Sequence, residues 1–192
     1  MKVSGEITCQ GAVFIYKNDG TQDEAWRAAS QIDAEHGGIR RELHSDKNAF
    51  LAGLREWNEQ VDPGNAFLCI YAHMGNPGLN CVGAVDSNAV TWSELADALS
   101  AGVEYLWLVG CSSSACLSAW TPLAHPVRHL LLATSDSRLW LPLLKCFAAE
   151  ISIDNIVMDG DMPDKLEKME PELAKHTEYF LSGKNGLTRA FQ

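Results

Sequence analysis

Two apolar segments, each ending in a reactive side chain, constrain the fold of this chain more than any other feature of its sequence. The first covers residues 66–73 (AFLCIYAH) and ends in His73. The second covers residues 105–111 (YLWLVGC) and ends in Cys111. If both are neighbouring strands of an open parallel sheet, His73 and Cys111 reach one crevice, because ligands bind outside the carboxyl ends of such strands. A base beside a thiol is the minimum for a cysteine nucleophile activated by histidine.

Strand patterns alternate with helical patterns over most of the chain. Capping signals begin several of the helices, as in Thr21-x-x-Glu24 and Thr91-x-x-Glu94. Residues 78–90 fit a loop or a short hairpin. The alternation predicts an α/β protein with a three-layer fold, in which a mostly parallel sheet is flanked by helices. The predicted strands lie around residues 12–16, 39–44, 66–73, 105–111 and 129–134.

The composition changes beyond Met158, where the sequence becomes charged and helical in pattern. No linker is long enough to divide the chain. We therefore predict an α/β domain over residues 1–158 and a charged helical C-terminal extension over residues 159–192, packed on the same domain.

The charge of the chain limits its partners. Its 192 residues carry a formal net charge of −10, which argues against a nucleic acid as the direct partner, because phosphate binding needs clustered Lys and Arg. No apolar run approaches the roughly 18–20 residues that span a bilayer, and the N-terminus lacks an apolar secretion segment. We expect a cytoplasmic protein that acts on protein partners and does not bind membranes.

The six cysteines are scattered and show no disulfide framework. In a reducing compartment they are expected to be thiols. No C-x-x-C motif occurs and no His pair has zinc-binding spacing, so we expect neither a structural metal nor a cofactor.

The order of several motifs resembles that of a known family. A hydrophobic block ending in His and a second one ending in Cys are typical of the caspase-like cysteine peptidases. Three further stretches are similar to the CHAT branch of that superfamily, whose members are often linked to repeat domains in bacteria. The resemblance covers residues 10–150, and the three stretches are 83–86 leading into 90–95, 108–113, and 131–135 followed by 140–147.

The resemblance implies a cysteine endopeptidase that cleaves a protein substrate with a His-Cys dyad and is gated by a partner protein. Cys111 would be the nucleophile and His73 the general base. The oxyanion hole would use the Cys111 N–H and that of Met74 or Gly75. The sequence departs from the family where Met74 intervenes between His73 and Gly75, and where Gly110 stands in place of the more usual Gln or Ala.

Other roles for these residues remain open. Cys111 also fits a buried core cysteine at a strand end, and Cys116 is the rival nucleophile one turn further on. The competing His36-Gly37 pair fits the C-terminus of a helix. Asp136 and Arg138 follow the next strand and are candidates for substrate binding, although such residues are more often plain loop or cap residues.

Two further functional classes fit the sequence. One is a catalytically inactive caspase-like interaction module, which the Met74 departure favours. The other is an unrelated flavodoxin-like binding domain, in which His73 and Cys111 would not lie close together.

Overall fold

The computed structural model describes residues 10–16, 26–27, 29–30, 39–79, 88–120, 127–133, 177–183 and 186–191. Nine strands are assigned within these ranges, and seven of them form one sheet. They are β1 (Gln10–Tyr16), β2 (Arg40–His44), β3 (Ala66–Ala72), β4 (Gly78–Leu79), β5 (Val90–Thr91), β6 (Val103–Val109), β7 (Val127–Ala133), β8 (Thr177–Gly183) and β9 (Gly186–Phe191).

The main sheet is mostly parallel. Its strand order is β2-β1-β3-β6-β7-β8-β9, and the first five strands in that order run parallel. β8 and β9 continue the sheet antiparallel to their neighbours. β4 and β5 pair separately and antiparallel, which favours the short hairpin over the loop, the two alternatives expected for residues 78–90. The α/β class with a mostly parallel sheet flanked by helices is confirmed.

Three α-helices have both of their ends within the described ranges, namely α1 (Lys47–Gln60), α2 (Trp92–Ala98) and α3 (Cys116–Trp120). The Asp46 side chain caps α1 by accepting from the Ala49 N–H at 2.8 Å. The predicted Thr91–Glu94 capping box begins α2, with both of its reciprocal hydrogen bonds present.

The two faces of the sheet are covered differently. Even-numbered residues of β3, such as Leu68 and Ile70, form one apolar core with α1, α2 and α3. On the opposite face, Arg41 of β2 lies 5.4 Å from the centroid of the Trp26 ring and donates to the Ser30 hydroxyl at 2.6 Å. Residues 26–27 and 29–30 are helical, so described helical residues lie on both faces and complete a three-layer arrangement.

The C-terminal prediction is wrong in part. Residues 177–181 were expected to be helical, but they belong to β8, and β9 follows as the last strand of the sheet. The phenyl ring of Phe180 joins the core on the α1 face, so residues 177–183 and 186–191 extend the sheet and are not helical. The boundary at residue 158, and the rest of the extension up to residue 176, lie outside the described residues.

No described helix is long and apolar enough to cross a membrane.

Candidate active site

His73 and Cys111 follow two strands that are direct neighbours in the sheet. β3 and β6 pair in parallel over five residue pairs, and the last pair is Tyr71 with Val109. His73 stands two residues beyond Tyr71, and Cys111 stands two residues beyond Val109. The pairing therefore brings both residues to the same carboxyl edge of the sheet, which is where open parallel sheets bind ligands.

Alternation along the strands places His73 and Cys111 on the same face of the sheet. Side chains of successive strand residues point to opposite faces. Met74 packs into the core beneath α1, α2 and α3, and a Cβ built on Gly110 would point at the Met74 side chain, 2.9 Å from its Cγ. His73 directly precedes Met74, and Cys111 directly follows Gly110. The alternation therefore places the His73 and Cys111 side chains on the face of the sheet opposite α1, α2 and α3. Both residues are partly exposed.

Gly110 is explained by this close approach of the two strand ends. A Cβ at position 110 would overlap the carbonyl oxygen of Ala72 and press on Met74. A larger residue before Cys111 would require the ends of β3 and β6 to move apart. Glycine at position 110 is thus required by the close approach of the Ala72 carbonyl and the Met74 side chain.

The loop after His73 folds back on itself immediately. Met74 bridges to Leu79 in antiparallel fashion, and the Gly75 N–H donates to the Gly78 carbonyl at 3.0 Å. This donor is engaged within the loop, so of the two alternatives the arrangement favours the Met74 N–H, and the oxyanion hole itself stays a prediction. The Met74 and Cys111 N–H groups are the predicted donors that remain.

Trp92 ties this loop to α2. Its backbone N–H donates to the Pro77 carbonyl at 3.0 Å, and its indole Nε1–H donates to the Gly75 carbonyl, also at 3.0 Å. No motif in the sequence predicts a site role for Trp92. Its position directly after the Thr91 cap was the available signal, but the loop that it contacts is distant in sequence.

The backbone turns sharply after Cys111. Ser112 has φ 55° and ψ 31°, in the left-handed region, and a 3₁₀ helix over Ser113–Ala115 leads into the short helix α3. The helix expected over residues 112–121 is therefore present in a modified form, with a 3₁₀ turn at its start. A left-handed non-glycine residue costs about 1–2 kcal/mol, and such residues cluster at functional sites.

The three described thiols differ in their surroundings. Cys69 and Cys116 are buried, whereas Cys111 is partly exposed. Burial raises the pKa of the Cys116 thiol to about 12 and also raises the pKa of Cys69. Both are protonated at neutral pH, so neither is suited to act as the nucleophile, since the thiolate is the reactive form.

The remaining predicted residues lie outside the described ranges. These are the candidate substrate-binding residues Asp136 and Arg138 and the competing pair His36-Gly37. Among the described residues, no group of three or more His, Cys, Asp or Glu side chains is arranged to hold a metal ion.

Comparison with known proteins does not assign the chain to a family. No protein-family model matches it, and no curated protein matches it. The five parallel strands follow the order that flavodoxin-like domains share, and a fold of this kind supports many functions. The side chains at the edge of the sheet where His73 and Cys111 lie are therefore the basis for assigning a function.

Proposed function

We propose that this protein is a caspase-like cysteine endopeptidase in which His73 and Cys111 form a catalytic dyad. The observation that supports this proposal is the parallel register of β3 and β6, which ends both strands at the same edge with a histidine and a partly exposed cysteine. In an unrelated binding domain, nothing would require a histidine and a cysteine to occupy equivalent positions after adjacent strands.

The proposed reaction proceeds through an acyl-enzyme. His73 takes the proton from the Cys111 thiol as the sulfur attacks the peptide carbonyl carbon, and the carbonyl oxygen becomes an oxyanion. The N–H groups of Cys111 and Met74 are the proposed donors to that oxygen. The C–N bond then breaks, and His73 returns the proton to the leaving amine. Water then attacks the acyl carbon as His73 takes its proton, the bond from that carbon to the Cys111 sulfur breaks, and His73 gives the proton to the sulfur as the acid leaves.

A second function, a catalytically inactive interaction module, is favoured by one specific observation. The Gly75 N–H is used within the loop, where it donates to the Gly78 carbonyl. A site with a single remaining loop donor, Met74, stabilises an oxyanion less well, because each donor contributes about 2.7–4 kcal/mol to the transition state.

The same observation supports gating by a partner protein. A partner that rearranges residues 74–79 would free the Gly75 N–H and complete the oxyanion hole. We therefore propose that the purified chain turns over its protein substrate slowly until a regulatory protein binds. Full activity of the purified chain on its own would contradict gating while leaving the peptidase proposal intact.

We also propose that the protein works in a reducing compartment, the cytoplasm. Cys69, Cys111 and Cys116 are all free thiols, and a catalytic thiol has to remain reduced. Oxidation of Cys111 in the protein isolated rapidly from cells under acid quenching would contradict this assignment.

Alkylation by iodoacetamide at neutral pH tests the dyad directly. Peptide mapping is used to follow each thiol separately in the wild type, His73→Ala and Cys116→Ala. We expect Cys111 to react first in the wild type, His73→Ala to slow that reaction, and Cys116→Ala to leave it unchanged. If Cys111 reacts no faster than buried Cys69, the peptidase proposal fails and the inactive module takes its place.

A further inference from the structure

Trp92 is the residue that joins the two sides of the candidate site. It lies at the first position of α2, held there by the Thr91 cap. Its backbone and its indole both donate to the loop after His73, at the carbonyls of Pro77 and Gly75. Its own carbonyl accepts the Trp120 indole N–H at 2.9 Å, and Trp120 is the last residue of α3.

The two tryptophans form a buried unit. Trp92 is 2% exposed and Trp120 is fully buried, and their rings meet edge to face with centroids 6.0 Å apart. Hydrogen bonds in such surroundings are not easily exchanged for water, and removal of one donor leaves the opposing carbonyl without a partner. The unit therefore resists changes in the distance between the loop and α3.

A second connection joins the same two segments at the strand ends. Met74 packs against Gly110, which directly precedes Cys111. The segment that follows His73 is thus held at Met74 and Gly75. The segments on either side of Cys111 are held at Gly110 and Trp120. His73 directly precedes the first of these held segments, and Cys111 directly follows Gly110.

We infer that Trp92 is a positioning residue, which fixes the separation of the His73 imidazole and the Cys111 thiol by holding the loop after His73 against α3. This inference rests on the proposed dyad. It predicts that the indole N–H of Trp92 affects the reactivity of Cys111 through the Gly75 carbonyl that it binds.

The test compares variants by the pH profile of Cys111 alkylation. Trp92→Phe keeps an aromatic ring but removes the donor to the Gly75 carbonyl. Trp57→Phe is the matched control, because Trp57 is 3% exposed in the same core and contacts Phe14 from α1, away from the loop. Iodoacetamide rates are measured from pH 5 to pH 10 for both variants, the wild type and His73→Ala, after thermal unfolding has established that each variant is folded.

We expect Trp92→Phe to lower the rate at pH 7 by about tenfold, as small misplacements of catalytic groups do, and to move the profile toward that of His73→Ala. Trp57→Phe should retain the wild-type profile. Equal effects of Trp57→Phe and Trp92→Phe, or a wild-type profile in folded Trp92→Phe, would overturn the inference.

Two further outcomes can be distinguished from a failure of the Trp92 inference. If the wild type and His73→Ala react alike, the dyad itself is wrong, whatever Trp92→Phe does. If Trp92→Phe does not fold, Trp120→Phe decides the inference by the same criterion, because it removes the hydrogen bond from α3 to the Trp92 carbonyl and leaves the loop contacts in place.

Discussion

Gly110 lies against Met74 so closely that a Cβ on Gly110 would stand 2.9 Å from the Met74 Cγ. The same Cβ would overlap the carbonyl oxygen of Ala72. This contact is the point at which β3 and β6 end together. It fixes how near the residues that flank it, His73 and Cys111, come to one another.

Gly110→Ala should destabilise the protein and slow Cys111 alkylation. The added methyl group meets backbone, which cannot move aside as the end of a side chain can, and overpacking of this kind costs about 1–3 kcal/mol. Urea unfolding measures the loss of stability. Gly64→Ala is the control, because the nearest atom to a Cβ there is the Asp62 Oδ1 at 3.7 Å. Complete rescue of Gly110→Ala by Met74→Ala would contradict the argument, since the Ala72 carbonyl would still be in the way.

Asn58→Ala should destabilise the start of β6. Asn58 is 2% exposed, donates to the Gly102 carbonyl at 2.7 Å and accepts from the Ala101 N–H at 2.9 Å. Loss of both hydrogen bonds, with the Gly102 carbonyl left buried, should lower the free energy of unfolding by about 1–3 kcal/mol.

The control for this variant is Asn48→Ala, because Asn48 is exposed on the same helix. Exposed positions of this kind usually change the unfolding free energy by less than about 0.5 kcal/mol. Similar losses in the two variants would show that the helix, and not the contact with the turn before β6, is the source of the effect.

The strands that carry the site were predictable because their signals are local. An apolar run ended by a histidine or a Gly-Cys pair indicates a strand end, and the Thr91–Glu94 box indicates a helix start. The structure places β3, β6 and α2 where those patterns indicate. The adjacency of β3 and β6 followed from the alternation of strands with helices, because such units form parallel sheets.

The contacts that shape the site were not predictable in the same way. The hydrogen bond from Gly75 to Gly78 and the indole contact of Trp92 depend on how the loop folds in space, and spacing carries no signal for either. β8 and β9 were missed because charged residues such as Glu178 and Arg189 suggested a helix. These two side chains pair with each other across the strands at the end of the sheet.

Glu94→Gln should flatten the acid dependence of stability. Burial by itself raises the pKa of Glu94, but hydrogen bonds from Lys47 and Thr91, with the Lys47 charge, outweigh it and hold the pKa below its ordinary value of 4.5. The unfolded chain therefore binds more protons in this range, so this stabilisation is present above pH 4.5 and is lost as the pH falls through the lower pKa of the folded state.

The effect of Glu94→Gln should be small. The Glu94 side chain is 37% exposed, with the Lys47 Nζ 2.7 Å from its Oε1, and exposed pairs contribute only about 0.2–1 kcal/mol. Urea midpoints measured between pH 3 and pH 7 should converge for wild type and Glu94→Gln at the acid end. The control is Asp97→Asn, at an exposed site on the same helix; its urea midpoints should run parallel to those of the wild type over the same pH range. If they also converge at the acid end, the acid dependence comes from the net charge of the protein and not from the Glu94 contacts.

Ser112→Gly and Ser114→Gly should change stability in opposite directions. Ser112 has φ 55°, where an L-residue loses about 1–2 kcal/mol relative to ordinary backbone. Glycine adopts this conformation without strain. Because glycine also loses more conformational entropy on folding, about 0.5–1 kcal/mol of the stability gained is lost again. Ser114 lies in the 3₁₀ turn and is not among the described residues with positive φ, so glycine brings only the entropic cost there.

Urea unfolding of the two variants should therefore show a gain of up to about 1.5 kcal/mol for Ser112→Gly and a loss of about 0.5–1 kcal/mol for Ser114→Gly. The folded state of Ser112→Gly keeps the same left-handed turn, so the direction of the Cys111 side chain is unchanged and its alkylation rate should equal that of the wild type. A loss of stability in both variants would show that Ser112 is held by contacts of its side chain that outweigh the backbone strain. A stable Ser112→Gly with slow alkylation would instead show that the serine itself supports the thiol.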